Sequence, residues 1–140
     1  MSSDCLFCRI AAGTEPAAIV AETEHTVAFL DHRPIFPGHT LVVPRDHVVT
    51  LRDLPDELID PFFREVRRLA AAVQDGMDAQ GTFVAENNIV SQSVAHLHVH
   101  VVPRRRKDGL RGFFWPRTTY TNDTEMLHAV AAIQSALPEP

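Results

Sequence analysis

The chain has 140 residues, of which 45% are hydrophobic and 22% are charged, and its formal net charge is −5 at neutral pH. These values are typical of one globular domain with a core of its own, and they exclude a disordered chain and a general electrostatic binder of nucleic acids. Because the sequence contains no apolar run of about 18 residues and begins with no signal-peptide pattern, we expect a cytoplasmic protein without a membrane span.

The first part of the chain predicts a short helix followed by three strands. Residues 5–12 favour a helical start, and residues 13–16 favour a turn. Runs rich in β-branched and aromatic residues then predict strands at 19–22, 27–31 and 40–44. Turn-forming residues separate these runs, so the strands are expected to pair as hairpins.

A long amphipathic helix is predicted from about residue 54 to residue 77, because apolar residues recur there with helical period. Asp53 is placed to cap this helix and Pro55 suits its first turn, whereas Pro61 predicts either a kink or the true start of the helix. Residues 81–85 then predict a further strand.

The last predicted strand, 94–102, is expected to stop at Pro103. Beyond a loop, Asn122 with Glu125 three residues later predicts a capping box at the start of a C-terminal helix. Consecutive hairpins with one long helix inserted predict the α+β class, with a mainly antiparallel sheet in a single domain over 1–140.

Three histidines alternate with apolar residues in this last strand, at positions 96, 98 and 100. Side chains of a strand alternate between its faces, so the imidazoles share one face while Leu97, Val99 and Val101 pack behind them. Imidazole suits metal ligation, proton transfer and nucleophilic attack. The outer α-carbons lie about 13 Å apart, too far for three rings to ligate one metal, so the histidines must divide these tasks. The alternative is a solvated strand without a role.

Cys5 and Cys8 form a C-x-x-C pair, which in a reducing compartment indicates half of a metal site or a redox pair. A thioredoxin-like dithiol follows a strand, and no strand precedes this pair, so we favour zinc. Zinc would need two further ligands, for which histidines are candidates.

A basic run at 104–107, with Arg111 close by, concentrates positive charge after the histidine strand. It is either a solvated loop or a surface that receives a polyphosphate tail or a nucleic-acid end. Nucleic acid is therefore not the favoured partner, but the sequence does not exclude it.

The motif HLHVHVV at 96–102 resembles the signature of the histidine triad (HIT) superfamily of nucleotide hydrolases and transferases. The segments CLFCRI, VAFLDHRPIFPGHTLVVPRDH and QSVAHLHVHVVPR extend the resemblance over about residues 5–105, in the family's order and spacing. The resemblance implies a HIT fold of about five antiparallel strands with one long and one C-terminal helix. It also implies a homodimer formed by joining two sheets.

The activity implied by the resemblance is hydrolysis at the α-phosphate of a nucleoside phosphoramidate or a dinucleoside polyphosphate, through a nucleotidyl-histidine intermediate. A purine nucleoside monophosphate, AMP or GMP, is released. The resemblance assigns His98 as nucleophile, His100 as hydrogen-bond partner of the scissile phosphate and leaving group, and His39 as a further histidine of the site. A uridylyltransferase branch carries Gln where this chain has His100, so hydrolysis is favoured. A nucleotidyltransferase, a phosphorylase and a non-catalytic nucleotide-binding module remain alternatives.

Further site residues are implied by the same resemblance. Asp31 would accept hydrogen bonds from the ribose, and Gln92 and Ser93 would contact phosphate and leaving group. Phe7, Ile10 and Phe29 would surround the base, with simple core packing as the alternative for each. The family's asparagine corresponds to Asn87 or Asn88. Structural zinc would be bound by four residues: Cys5, Cys8, His47 and His96.

Two departures from the family pattern concern the loops around the triad. Ser91 stands where the loop before the triad usually carries a glycine. In some family members a C-terminal tryptophan reaches the active site; the sequence leaves open whether Trp115, in the long basic segment after the triad, does the same. His32 matches no functional position.

Overall fold

Residues 4–111 and 116–140 are described by the structure, a computed structural model. Chain contacts divide the molecule into two compact units, Met1–Asp108 and Gly109–Pro140. Trp115 lies outside the described residues, and the expectation of a single domain over the whole chain stays a prediction.

Five strands of the described residues form one antiparallel sheet in the first unit, with spatial order β1-β2-β3-β5-β4. The elements follow in chain order as α1 (Leu6–Ala12), β1 (Ile19–Glu22), β2 (Thr26–Leu30), β3 (Thr40–Pro44), α2 (Asp56–Gly76), β4 (Gly81–Ala85) and β5 (Val99–Arg104). The second unit contains α3 (Asp123–Ala136). The predicted α+β class, with five antiparallel strands and a long and a C-terminal helix, is confirmed.

The two faces of the sheet are covered by different helices. Ala28, Val42, Val99 and Val101 belong to one core cluster with the apolar residues of α2. The alternating residues on the other face belong to a second cluster, together with Phe7 and Ile10 of α1: Val27, Phe29, Leu41 and Val43. The imidazoles of the triad lie on this second face, beneath α1, because they alternate with core residues of the first face.

The start of α2 differs from the prediction. The N-cap residue is Pro55, and Pro61 lies inside the helix, so Pro61 does not mark its start. Asp53 caps a different element: its carboxylate accepts hydrogen bonds from the amide and hydroxyl of Thr50, at 3.1 and 2.6 Å, across the 3-10 turn Leu51–Asp53. A short polar side chain satisfies the nearest available amide, and here a turn stands between it and the helix.

The histidine strand is shorter at one end and longer at the other than predicted. β5 begins at Val99, so His96 and His98 precede the strand, and the Leu97 amide bonds to the carbonyl of Val48 at 2.6 Å rather than to a neighbouring strand. At the other end the strand continues through Pro103. The ladder with β3 ends at Val101, so β5 has one strand neighbour beyond it, where a proline is tolerated.

The C-terminal helix begins as the capping pattern predicts, since the side chain of Asn122 accepts from the amide of Glu125 at 2.9 Å. The Glu125 carboxylate returns to the amide of Thr121 rather than to that of Asn122. Within the described parts of the chain, every helix is too short or too polar to cross a membrane.

Candidate active site and metal centre

Four side chains with soft or imidazole donors meet at the N-terminus of α1. The ligand atoms of Cys5, Cys8, His47 and His96 all lie within 4.8 Å of one another. The sulfur of Cys8 is 3.2 Å from Nδ1 of His47 and 3.5 Å from Nδ1 of His96, and the sulfur of Cys5 is 3.4 Å from the latter. Ligand atoms of a tetrahedral zinc site are separated by about 3.3–3.8 Å, as follows from its bond lengths.

The hydrogen bonds of His96 leave the correct nitrogen for a metal. Its Nε2 lies 2.8 Å from the carbonyl oxygen of Pro44, which can only accept, so Nε2 carries the proton and Nδ1 presents a lone pair to the two sulfurs. Burial lowers the pKa of His96 to about 4, with His47 and His98 acting in the same direction and the Pro44 carbonyl opposing them. A neutral imidazole, a second imidazole and two thiols fit zinc, and the two histidines favour a metal over the redox alternative.

The middle histidine is oriented by the same type of contact. Nδ1 of His98 donates to the carbonyl oxygen of His96 at 2.7 Å, so the lone pair of His98 is on Nε2. The ring is 2% exposed, lies edge-on to Phe7 with centroids 5.1 Å apart, and lines the cavity described below. The residue therefore combines a fixed tautomer with access to a ligand.

A second chain of hydrogen bonds determines the tautomer of the third histidine. The amide of Ile35 donates to Nδ1 of His39 at 3.1 Å, so Nε2 of His39 carries a proton and donates to Nδ1 of His100 at 2.9 Å. His100 must then carry its own proton on Nε2. Burial lowers the pKa of His39 despite the opposing charge of Asp31. Burial, assisted by His98 and His39, lowers the pKa of His100 to about 4. Both rings are neutral at pH 7.

Asp31 lies at the end of this chain, with its Oδ2 3.7 Å from Nε2 of His39. That distance is too long for a hydrogen bond, and a neutral imidazole makes no ion pair, so the contact is weak. Asp31, His39 and His100 also bring three possible ligand atoms within 4.8 Å. Ligation by His39 would require the loss of its bond from Ile35, because Nε2 carries the proton. The group is therefore better described as a hydrogen-bond network than as a metal site.

Gly38 allows the chain to reach this network. Its φ of +97° lies in the left-handed region, and a Cβ there would come within 2.5 Å of the Met77 side chain. The turn before β3 therefore requires glycine next to His39.

A cavity of about 540 Å³ opens beside these histidines, within the size range of small-molecule sites. Seven predicted site residues line it: Phe7, Ile10, Phe29, Asp31, Ser93, His98 and His100. Sequence reasoning missed the other lining residues: Leu6, Glu15, Pro16, Ala17, Ala18, Leu30, His32, Leu41 and Val94. The segment 15–18 follows α1, which supplies Phe7 and Ile10 to the site, and this position is the one sequence signal that could have indicated it.

Three predicted residues do not line the cavity. His39 is buried behind His100. Gln92 uses both ends of its amide within the protein, donating to the carbonyl of Val49, which follows β3, at 2.6 Å and accepting from the amide of Ile89 in its own loop at 3.0 Å. Asn87 donates to the carbonyl of Ser91 at 3.3 Å. The phosphate or leaving-group contact expected of Gln92, and the substrate-binding role expected of Asn87, stay predictions.

The loop before the triad contains two residues in the left-handed region, Ile89 with φ 68° and Ser91 with φ 63°. The left-handed backbone at Ser91 explains why the family usually has glycine at this position, because a residue with a Cβ is strained in that conformation. Asn88, rather than Asn87, holds this loop against the rest of the unit, because its Oδ1 accepts from the Leu51 amide at 2.8 Å.

The basic run after the triad is partly engaged within the protein. The guanidinium of Arg104 makes two bonds to the Asp108 carboxylate, at 2.6 and 3.1 Å, and Arg105 donates to the carbonyl of Met77. These contacts favour a structural loop over a nucleic-acid surface.

Comparisons with known proteins agree with this geometry. The family model described as HIT domain matches residues 12–107. A crystal structure of a HIT family member from Bacillus subtilis superposes with a TM-score of 0.85 at 34% identity, covering 99% of this chain and 100% of the other. The chain belongs to the HIT family.

Two further relatives bear on chemistry. A Zn-bound histidine triad family protein from Mycobacterium smegmatis has a TM-score of 0.72 and 37% identity, covering 96% of this chain and 98% of the other. The adenosine 5′-monophosphoramidase of Saccharomyces cerevisiae is 34% identical over 111 residues, which are 79% of this chain and 69% of that protein.

Proposed function

We propose that the chain is a nucleotide hydrolase that cleaves the α-phosphate bond of a nucleoside phosphoramidate or dinucleoside polyphosphate and releases a nucleoside monophosphate. The observation that carries the proposal is the complementary pair of tautomers beside one cavity. His98 presents a lone pair on Nε2 and His100 presents an N–H on Nε2. A nucleophile next to a hydrogen-bond donor is what displacement at phosphorus needs. The relative from S. cerevisiae that is named a phosphoramidase supports the same class of reaction.

In the first step Nε2 of His98 attacks the α-phosphorus, and the bond from phosphorus to the leaving nitrogen or oxygen breaks. The carbonyl of His96, 2.7 Å from Nδ1, stabilises the positive charge that develops on the ring. The Nε2–H of His100 donates a hydrogen bond to the leaving group, which takes a proton from solvent. In the second step water displaces His98 from phosphorus and returns one proton to solvent, so protons balance over the cycle.

Substrate contacts divide between the ends of the cavity. Asp31 accepts from the ribose, Ser93 contacts phosphate, and the apolar residues Phe7, Ile10 and Phe29 surround the base. Zinc bound by Cys5, Cys8, His47 and His96 is structural: it ties α1, which carries two of these base contacts, to the segment of the triad.

Replacement of His98 tests the proposal. His98→Asn should lower turnover of adenosine and guanosine 5′-phosphoramidates by more than about 10³-fold while nucleoside monophosphates still bind. Wild-type protein quenched in alkaline denaturant, in which a bond from phosphorus to imidazole survives, should carry one nucleotidyl group, which the variant lacks. His25→Asn, in the β1–β2 turn, where the side chain is 43% exposed, is the matched control. Turnover by His98→Asn at the wild-type rate would refute the role. Binding without turnover in the wild type would indicate a non-catalytic module instead.

A homodimer belongs to the same proposal. β4 is an edge strand of the sheet, with Val84 43% exposed, and could pair with a second copy. Light scattering should give twice the chain mass of 15.6 kDa, and a monomer mass would remove this part of the proposal.

A further inference from the structure

Besides Asp31, the cavity lining contains a second carboxylate, that of Glu15. It lies between the end of α1 and the start of β1, and the other lining residues of its segment are apolar: Pro16, Ala17 and Ala18. Nothing in the reaction described above uses this side chain. A carboxylate on an otherwise apolar wall is a strong source of selectivity, since it can only accept hydrogen bonds.

The location of Glu15 places it at the base end of the site, an assignment that rests on the proposed function. The amide of Leu30 bonds to the carbonyl of Ala18 at 3.0 Å, which holds the segment 15–18 beside the end of β2 that leads into Asp31. With phosphate at His98 and ribose at Asp31, the base occupies the remaining lining, where this segment and α1 form the wall.

The carboxylate of Glu15 has an ion-pair partner in Arg9. Nε of Arg9 lies 3.4 Å from Oε2 of Glu15, and the two side chains are 34% and 38% exposed. An ion pair between partly exposed groups is worth little energy. The bond from Arg9 occupies one lone pair of Oε2, so both carboxylate oxygens can still accept from a ligand.

We propose that Glu15 selects guanine as the base of the nucleotide substrate. Guanine alone presents two adjacent donors, N1–H and the N2 amino group, which match the two oxygens of a carboxylate. Adenine and cytosine each present an amino group next to a ring nitrogen that accepts, and that lone pair would face a carboxylate oxygen. Uracil presents one N–H between two carbonyl groups. The preference therefore follows from the match between two acceptors and two donors.

Exchange of one side-chain atom should reverse this preference. In Glu15→Gln the amide offers one acceptor and one donor, the pattern that pairs with the amino group and adjacent ring nitrogen of adenine. A good bidentate contact discriminates between bases by roughly 5- to 150-fold, and for a partly exposed side chain we expect about tenfold. The wild type should prefer guanosine over adenosine 5′-phosphoramidate by about tenfold in kcat/KM, and Glu15→Gln should remove or invert the ratio.

The matched control is Glu24→Gln, which makes the same change on an 87% exposed side chain in the β1–β2 turn and should leave the ratio unaltered. Thermal unfolding of both variants checks that the fold is retained. A wild type that shows no base preference or prefers adenosine overturns the inference, as does an unchanged ratio in Glu15→Gln.

Binding separates this inference from the proposed function. Calorimetry of GMP and AMP with the His98→Asn protein reports base selectivity without chemistry, and GMP should bind about tenfold more tightly. Equal affinities refute the role of Glu15 even where hydrolysis is observed. Absence of turnover in the wild type, together with tighter GMP binding, refutes the hydrolase and leaves the base selectivity standing.

Discussion

His39 is 2% exposed, and its two ring nitrogens serve different partners, which makes it possible to separate its role in packing from its role in orienting His100. Asparagine places an acceptor near the position of Nδ1 and glutamine places a donor near that of Nε2. His39→Asn therefore keeps the bond from Ile35 and loses the bond to His100. His39→Gln keeps the bond to His100 and loses the bond from Ile35.

The expected magnitude follows from the burial of the groups left without partners. Loss of the 2.9 Å bond leaves Nδ1 of His100 as an unsatisfied acceptor, which costs about 1–3 kcal/mol. If that energy also measures how firmly His100 is oriented, kcat should fall about 5- to 150-fold in His39→Asn. The Ile35 amide belongs to an exposed residue and can bond to water, so His39→Gln should be destabilised less and should retain more activity.

The assay compares both variants in phosphoramidate turnover, in urea unfolding and in the ¹⁵N signals of His100. We expect turnover to decrease in the order wild type, His39→Gln, His39→Asn, and the two nitrogens of His100 to become less distinct in His39→Asn. If the two variants have equal turnover, or if His39→Asn is the more active, the hydrogen-bond chain does not determine the state of His100.

Three other perturbations test the metal centre, the loop and the titration of the site. Cys8→Ser should abolish binding of one zinc per chain, seen by elemental analysis, and lower the unfolding temperature; a full zinc content would exclude the proposed ligand set. Ser91→Gly should raise the free energy of unfolding in urea by up to about 1 kcal/mol, because φ 63° favours glycine, and a decrease would contradict this explanation. Burial holds the pKa of His100 at about 4, below its value of about 6.5 in the unfolded chain, so its contribution to stability is complete above pH 6.5 and is lost as the pH falls towards 4. The free energy of unfolding in urea should therefore fall more steeply between pH 6.5 and pH 4 in the wild type than in His100→Gln. An equal dependence on pH in the two proteins would contradict the lowered pKa of His100.

Most of the fold could be predicted because short-range patterns and long-range packing agree. Val27 and Phe29 alternate with Ala28, and the structure places them on opposite faces, under α1 and α2 respectively. The apolar period of α2 likewise identifies the residues that reach the core, such as Phe62 and Leu69, each at most 2% exposed. Alternation also identified Leu97, Val99 and Val101 as core, although the strand itself begins only at Val99.

The wrong predictions share one physical cause, which is that a backbone or side-chain polar group bonded to a residue distant in sequence or to a closer competitor. The Leu97 amide bonds to Val48, so the segment before β5 leaves the ladder. The carboxylate of Asp53 accepts from Thr50 instead of capping α2. Periodicity and capping patterns describe local preferences, and they hold no information about such partners.

The same principle explains how three histidines of equal spacing come to present different ring atoms to their surroundings. A neutral imidazole has one nitrogen with a proton and one with a lone pair. The hydrogen bond made by one nitrogen therefore decides what the other can do. For His96 the Pro44 carbonyl engages Nε2 and leaves Nδ1 to the thiols. For His98 a carbonyl accepts from Nδ1, so the lone pair is on Nε2. For His100 the donor His39 bonds to Nδ1, so the proton is on Nε2. Exchanging a carbonyl for an N–H at Nδ1 thus replaces a ring that presents a lone pair to the cavity by a ring that presents a donor. The difference between the rings arises in the backbone and in His39, outside the motif itself.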